Sequence, residues 1–358
     1  MVSILSIFNF LGVLLSLIFQ FLLVRYFGIS FFTDLYYLLT GLVMFLSTTP
    51  TSFILGLYIP IYNEMKVKDK ANEFTGALFF LIFFISTFIS IIIFFFPELI
   101  IKIFASGFDL EKVRFASEIL RILSLYPIFD SLSLLLNFTL QANFYMILPF
   151  FMRILTPFFS IISLLFFADI YGIKAVIFAK IFSSFFSFLI FLTFLLLKIP
   201  IKFTNPFSKI KEIWYLFKNS FTISLSGIIW DLKSPITTNV LSYFEPGYLT
   251  LFNYANRILN IFTEIINSPF LGVFYIEASK YISENNIKKI KERLILILRT
   301  NILLFIILLS FSLIIFKKFF LLIFYPKVLP FHIDLMYKIF LILIPYYSIL
   351  IFESFFVR

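Results

Sequence analysis

The chain has no cysteine and a single histidine, His332, among 358 residues. No disulfide framework and no cysteine-based zinc or iron–sulfur site can be built from it. One histidine leaves no His-pair metal site and little scope for a histidine triad. Charge is scarce as well: Asp, Glu, Lys and Arg make up 13% of the residues, against about 25% in soluble domains. With 61% hydrophobic residues, 57 of the total being Phe, neither a soluble globular domain nor a disordered chain fits. The net charge of +10 comes from 29 Lys and Arg against 19 Asp and Glu. No basic stripe on a soluble scaffold is there to present it, so nucleic acid is not an expected partner. Basic loops on the cytoplasmic side of a membrane account for it instead.

What the sequence has is long apolar runs. Residues 2–24 lack a basic leader and a small-residue cleavage site, and they exceed the roughly 7–15 residues of a signal-peptide core. They read as a retained membrane helix. Polar and charged breaks give ten candidate spans: 2–25, 34–62, 76–96, 116–141, 146–167, 172–197, 214–240, 248–276, 292–316 and 333–355. In lipid such runs must be helical, because unpaired strand backbone is too costly there. The fold class is therefore an all-α polytopic membrane protein of about ten transmembrane helices. Basic residues in the loops after spans 2, 6 and 8 outnumber those on the opposite side by twelve to nine, which predicts a cytoplasmic N-terminus. Residues 97–115 mix both signs and read as an external, amphipathic surface piece.

The chain also resembles itself. Thr33-Asp34-Leu35-Tyr36-Tyr37 lies over Thr250-Leu251-Phe252-Asn253-Tyr254, and Leu125-Tyr126-Pro127 over Leu343-Ile344-Pro345, at offsets of 217 and 218. Three further matches fall in order at nearly the same offset. It spans six helices, so the copies share one orientation, an arrangement common in transporters. The expected organisation is a first six-helix bundle at 1–198, a cytoplasmic linker at 199–213, and a second bundle at 214–358 with four of its six helices.

Polar side chains are expensive in lipid and face a bundle interior or a wet cavity. Span 8 carries Asn253, Asn256, Arg257, Asn260, Thr263, Glu264 and Asn267, which fall within an arc of roughly 120° at 3.6 residues per turn. Span 1 has a weaker stripe that includes Asn9 and Gln20, and spans 2 and 7 are rich in Ser and Thr. Two readings stand side by side: a hydrated transport cavity, and interhelical packing by hydrogen bonds. Arg121, Asp130, Arg153 and Lys180 read as snorkelling or locally paired charges, and Pro127, Pro157 and Pro345 as kinks. An enzyme of the membrane acting on polyprenyl phosphates would need clustered loop carboxylates. No loop has a paired Asp motif, so the chain is read as a transporter, not an enzyme.

Four segments resemble one family. They are Arg25-Tyr-Phe-Gly-Ile-Ser-Phe-Phe-Thr-Asp34, Tyr58-Ile-Pro60-Ile-Tyr-Asn-Glu64, Ala105-Ser-Gly107-Phe108-Asp109, and Leu251-Phe-Asn-Tyr254-Ala255-Asn256-Arg257-Ile258. Together they are similar to the MurJ/MviN-type lipid flippases of the multidrug/oligosaccharidyl-lipid/polysaccharide exporter superfamily. That resemblance implies alternating-access export of an undecaprenyl-linked glycan precursor, lipid II, across the bacterial cytoplasmic membrane. It also implies fourteen spans, of which this chain would lack the last four. Arg257 would bind pyrophosphate, with Asn253, Asn256, Asn260, Asn9 and Gln20 around the head group. Glu264 would tune Arg257 or bind a coupling cation, the only cofactor expected, and Arg25 would pair with Asp34 to close an external gate. Span arginines of the family are replaced here by Val13, Phe19 and Ser47. The expected partners are the carrier lipid and the bilayer, with the protein a monomer. A polysaccharide-lipid or drug exporter of the same superfamily, and a non-transporting remnant, are the alternatives.

Overall fold

The computed structural model describes residues 2–263, 287–324 and 328–356. Its described residues are mostly helical and contain no strand. The helices are α1 (Val2–Phe27), α2 (Phe31–Leu55), α3 (Tyr58–Val67), α4 (Ala71–Phe95), α5 (Pro97–Phe104), α6 (Leu110–Leu123), α7 (Tyr126–Ala142), α8 (Ile147–Tyr171) and α9 (Ile173–Lys198). They continue with α10 (Ile210–Asp231), α11 (Lys233–Leu241), α12 (248–263), α13 (Ile287–Phe324) and α14 (Pro330–Phe356). Among the described residues, seven helices are long and apolar enough to cross a membrane, or eight if the bent pair α6–α7 is one span.

The difference from ten spans has a local cause. Span 8 is described as far as residue 263. Span 7 is broken at Leu232 into α10 and α11, while spans 2 and 4 also break, at Gly56–Leu57 and at Ser124–Leu125. Each helix that restarts carries a proline in its first turn: Pro60 in α3, Pro127 in α7 and Pro235 in α11. A first-turn residue has no intrahelical bond for its amide to make, so proline is tolerated there and marks a start. Helices α8 and α14 run unbroken through Pro157 and Pro345. The segment 97–115 forms α5 and the first turns of α6.

The chain divides into two compact units, Met1–Leu249 and Thr250–Arg358. In the first, Leu23, Leu35, Leu39, Val43, Ile119, Leu120 and Val176 form a core shared by α1, α2, α6 and α9. A second core joins α3, α4, α7 and α10 through Tyr58, Tyr62, Phe74, Leu78, Leu135 and Leu216. Burying each such side chain contributes about 1.5–3 kcal/mol in a water-based reckoning. Phe84, Phe88, Phe95 and Phe166 point out of the bundle, as lipid-facing aromatics do. Residues 210–249 group with the first bundle because α10 is fastened to α2: Ser224 Oγ donates to the Ser52 carbonyl (2.7 Å), and Leu57 N donates to Ser220 Oγ (3.0 Å).

Tyr58 is fully buried. Its hydroxyl lies 2.8 Å from Thr75 Oγ1 and 2.9 Å from Thr139 Oγ1, while both threonines donate to carbonyls of their own helices. Tyr58→Phe should therefore cost about 1 kcal/mol, since the threonines keep a partner each. A detergent melting curve for the variant checks this.

In the second unit, Phe316, Phe320, Tyr337 and Phe340 pack α13 against α14. Lys317 pairs with Asp334 at 2.6 Å. With 38 residues at about 1.5 Å each, α13 outreaches a hydrocarbon core of about 30 Å, and its basic start (Lys288, Lys289, Lys291) can stand in water.

Candidate functional site

The polar stripe of span 8 is carried by α12, which starts just after Pro246-Gly247. Asn253, Asn256, Arg257 and Asn260 are all partly buried on this helix. Asn256 has a packing role: Tyr347 Oη on α14 donates to its Oδ1 at 2.7 Å. Thr263 donates to the Asn260 carbonyl at 2.8 Å. Glu264 and Asn267 lie outside the described residues.

On α1, Gln20 is half-buried, and Asn9 Oδ1 accepts from Arg153 Nη1 of α8 at 3.1 Å. The expected gate pair is not brought together. Arg25 is exposed in the last turn of α1, where a cation suits the negative end of the helix. Asp34 is buried in the first turn of α2 and accepts the Gly247 amide at 2.5 Å. A carboxylate there is stabilised by the positive end of α2 and by this charge-assisted bond, so Asp34 holds the turn before α12.

The same end of the first unit carries a second fastening that sequence reasoning did not find. Ser106 N and Oγ both donate to Asn239 Oδ1, at 3.0 and 2.7 Å, and Gly107 N donates to Ser242 Oγ at 3.0 Å. The loop between α5 and α6 is thereby tied to the end of α11. Asp109 caps α6, accepting from Lys112 N at 2.9 Å. That bond, with the Lys112 ammonium 3.0 Å away, holds its carboxyl below the usual range.

The Ser and Thr of α2 mostly serve their own helix. Thr40, Thr48, Thr51 and Ser52 donate to the carbonyls of Tyr36, Met44, Ser47 and Thr48. Ser47 reaches further: its Oγ donates to Asp130 Oδ2 on α7 at 2.6 Å. Asp130, Arg153 and Lys180, read from sequence as snorkelling or locally paired charges, line one cavity of about 290 Å³ in the first unit. A signal for this was present. Asp130, Ser133 and Asn137 on α7, and Lys180, Ser183, Ser184 and Ser187 on α9, each recur at helical spacing. Among the described residues no cluster of acidic or imidazole groups could hold a metal ion.

The family profile of the lipid II flippase MurJ matches residues 23–352. The chain belongs to the MurJ lipid II flippase family. A probable lipid II flippase MurJ of Rickettsia prowazekii (strain Madrid E) is 28% identical over 246 residues, covering 65% of this chain and 46% of that protein. The probable lipid II flippase MurJ of Thermotoga maritima is 25% identical over 264 residues, or 72% of this chain and 52% of that one. The chain thus spans about half the length of the curated relatives it matches. Among solved structures, a lipid II flippase MurJ in an inward closed conformation superposes with a TM-score of 0.79 at 20% identity, covering 94% of this chain and 70% of that one. A multidrug resistance MATE transporter of the MOP superfamily gives 0.65 at 15% identity, over 95% and 76%. These likenesses establish an all-α transporter fold common to MurJ and MATE proteins. Arg257, in the segment Leu251–Ile258, lies on the polar stripe of α12.

Proposed function

We propose that this chain carries lipid II, an undecaprenyl-linked precursor of peptidoglycan, across the bacterial cytoplasmic membrane by alternating access, with its N-terminus in the cytoplasm. The match of the MurJ family over residues 23–352 supports this most directly. A pyrophosphate-linked head group cannot cross a hydrocarbon core of about 30 Å unaided, and a polar helix face gives it a path while its tail stays in lipid. Arg257 supplies the anchor, because a guanidinium forks onto phosphate oxygens. Asn253 and Asn260 donate to sugar or peptide groups, and Asn256 does so through its NH2, its oxygen being held by Tyr347. Gln20 of α1 is a further candidate contact in the same reading.

The test is transport by this chain in proteoliposomes. Fluorescent lipid II in the inner leaflet should become accessible to an external probe faster than in protein-free vesicles. Equal rates with and without protein would reject the proposal.

A second reading concerns the cargo. Phe19 packs against Tyr36 in the core at 5.6 Å, and Ser47 is bonded to Asp130, so neither position offers a cation to pyrophosphate. This favours a different undecaprenyl-linked glycan on the same fold. Faster movement of such a lipid than of lipid II in the same vesicles would select it.

A further inference from the structure

The open cavity of about 290 Å³ lined by α2, α7, α8 and α9 in the first unit is not used by the lipid-carrier reading. Its lining carries two cations, Arg153 and Lys180, and one carboxylate, Asp130, a balance of one positive charge. Asp130 is already engaged on both oxygens, by Ser47 Oγ at 2.6 Å and Tyr126 Oη at 2.9 Å. Arg153 lies over the Phe150 ring at 4.5 Å and donates to Asn9. Among the described residues Lys180 forms no ion pair. Its ammonium meets the Met44 thioether at 3.7 Å and the Tyr126 ring at 5.3 Å, and a thioether is a weak acceptor. An ammonium with such partners inside a membrane span is costly.

A second observation points the same way. Ser133 and Ser184 line the cavity at 9% and 8% exposure, and among the described residues neither hydroxyl has a hydrogen-bond partner. Buried hydroxyls are nearly always satisfied. An ammonium, a guanidinium and unsatisfied hydroxyls from three helices make a donor set with a net positive charge. It repels a cation and suits an anion with several oxygens.

We infer that this cavity is an anion site that takes a phosphate group, with Lys180 as its anchor, Ser133 and Ser184 as hydroxyl donors, and Arg153 as the second cation. The group can come from free inorganic phosphate or from a phospholipid head. The inference stands apart from lipid II transport and is read by binding alone.

The test is equilibrium dialysis of the full chain in detergent against radiolabelled inorganic phosphate at constant ionic strength. One saturable site per chain is expected. Lys180→Met should weaken binding at least about tenfold, and Lys180→Arg by no more than about threefold, since the charge stays. Lys174→Met, which removes a surface pair with Glu118 at 3.8 Å, should leave binding unchanged. Without phosphate, Lys180→Met should melt no lower than the unsubstituted protein, because it removes a poorly compensated charge. A merely structural Lys180 that balances Asp130 would give the opposite shift. Displacement of the label by short-chain phosphatidic acid would assign the site to a lipid phosphate, and lack of displacement to the free ion. Absence of saturable binding, or equal binding by Lys180→Met, would overturn the inference.

Discussion

Gly76→Ala should destabilise the protein by about 3 kcal/mol, at the upper end of the range for overpacked positions. The segment after α9 crosses the first turns of α4 at this glycine. A Cβ on Gly76 would run into the Lys202 carbonyl and lie 2.9 Å from Phe203 Cα. Those are backbone atoms, and they are held in place. Lys202 N donates to the Asn72 carbonyl at 3.3 Å, and Thr204 Oγ1 to that of Glu73 at 2.7 Å. Lys209 pairs with Glu73 at 2.7 Å and Lys70 with Glu212 at 3.7 Å. A methyl group must therefore lift the whole crossing rather than turn one side chain. Gly227 of α10 is the control: nothing lies within 4 Å of its Cβ position, so alanine there should be neutral or slightly stabilising, alanine being the better helix former. Melting curves of both variants decide it, and equal midpoints would refute the crossing as a constraint.

Arg257→Ala should lower the initial rate of lipid II movement roughly a hundredfold, the equivalent of about 3 kcal/mol for two charge-assisted bonds to phosphate. Arg257→Lys keeps the charge and loses the fork, so its rate should fall between the two. Tyr347→Phe, which removes the bond to Asn256, should alter stability more than transport. A transport rate for Arg257→Ala equal to that of the unsubstituted chain would remove the proposed anchor while leaving the family membership untouched.

Hydrophobic length alone located α1, α4, α8, α9, α13 and α14, because a run of about 20 apolar residues has few ways to exist other than as a spanning helix. The broken spans were less legible. Pro60, Pro127 and Pro235 were visible, but a proline reads equally as a kink within a helix and as the first turn of a new one. Residues 199–213 look like a polar linker in sequence, yet they pack on α4 through Lys202, Thr204 and Lys209. Nothing local in the sequence gives that long-range register.

For the candidate site, the stripe on α12 was legible because Asn253, Asn256, Arg257, Asn260 and Thr263 stand out by contrast in an apolar run. Asp34 was found as a residue of note, but its partner is a backbone amide, which has no letter in a sequence. The charges of α7, α8 and α9 were seen one at a time. Their common cavity follows from packing, although the polar rows of α7 and α9 were there to be aligned.

The hydroxyl bonds along α2 carry a mechanical consequence. Pro50 has no amide to give the Leu46 carbonyl, and bending a rod in oil normally strands such groups. Between Met44 and Ser52, however, the carbonyls of Met44, Ser47, Thr48 and Ser52 each receive a side-chain hydroxyl. These donors bond the carbonyls on either side of the one Pro50 cannot serve, and such back-bonding itself favours curvature. The stretch from Met44 to Ser52 is thus where α2 bows at least cost, which makes it the compliant joint of an otherwise stiff bundle.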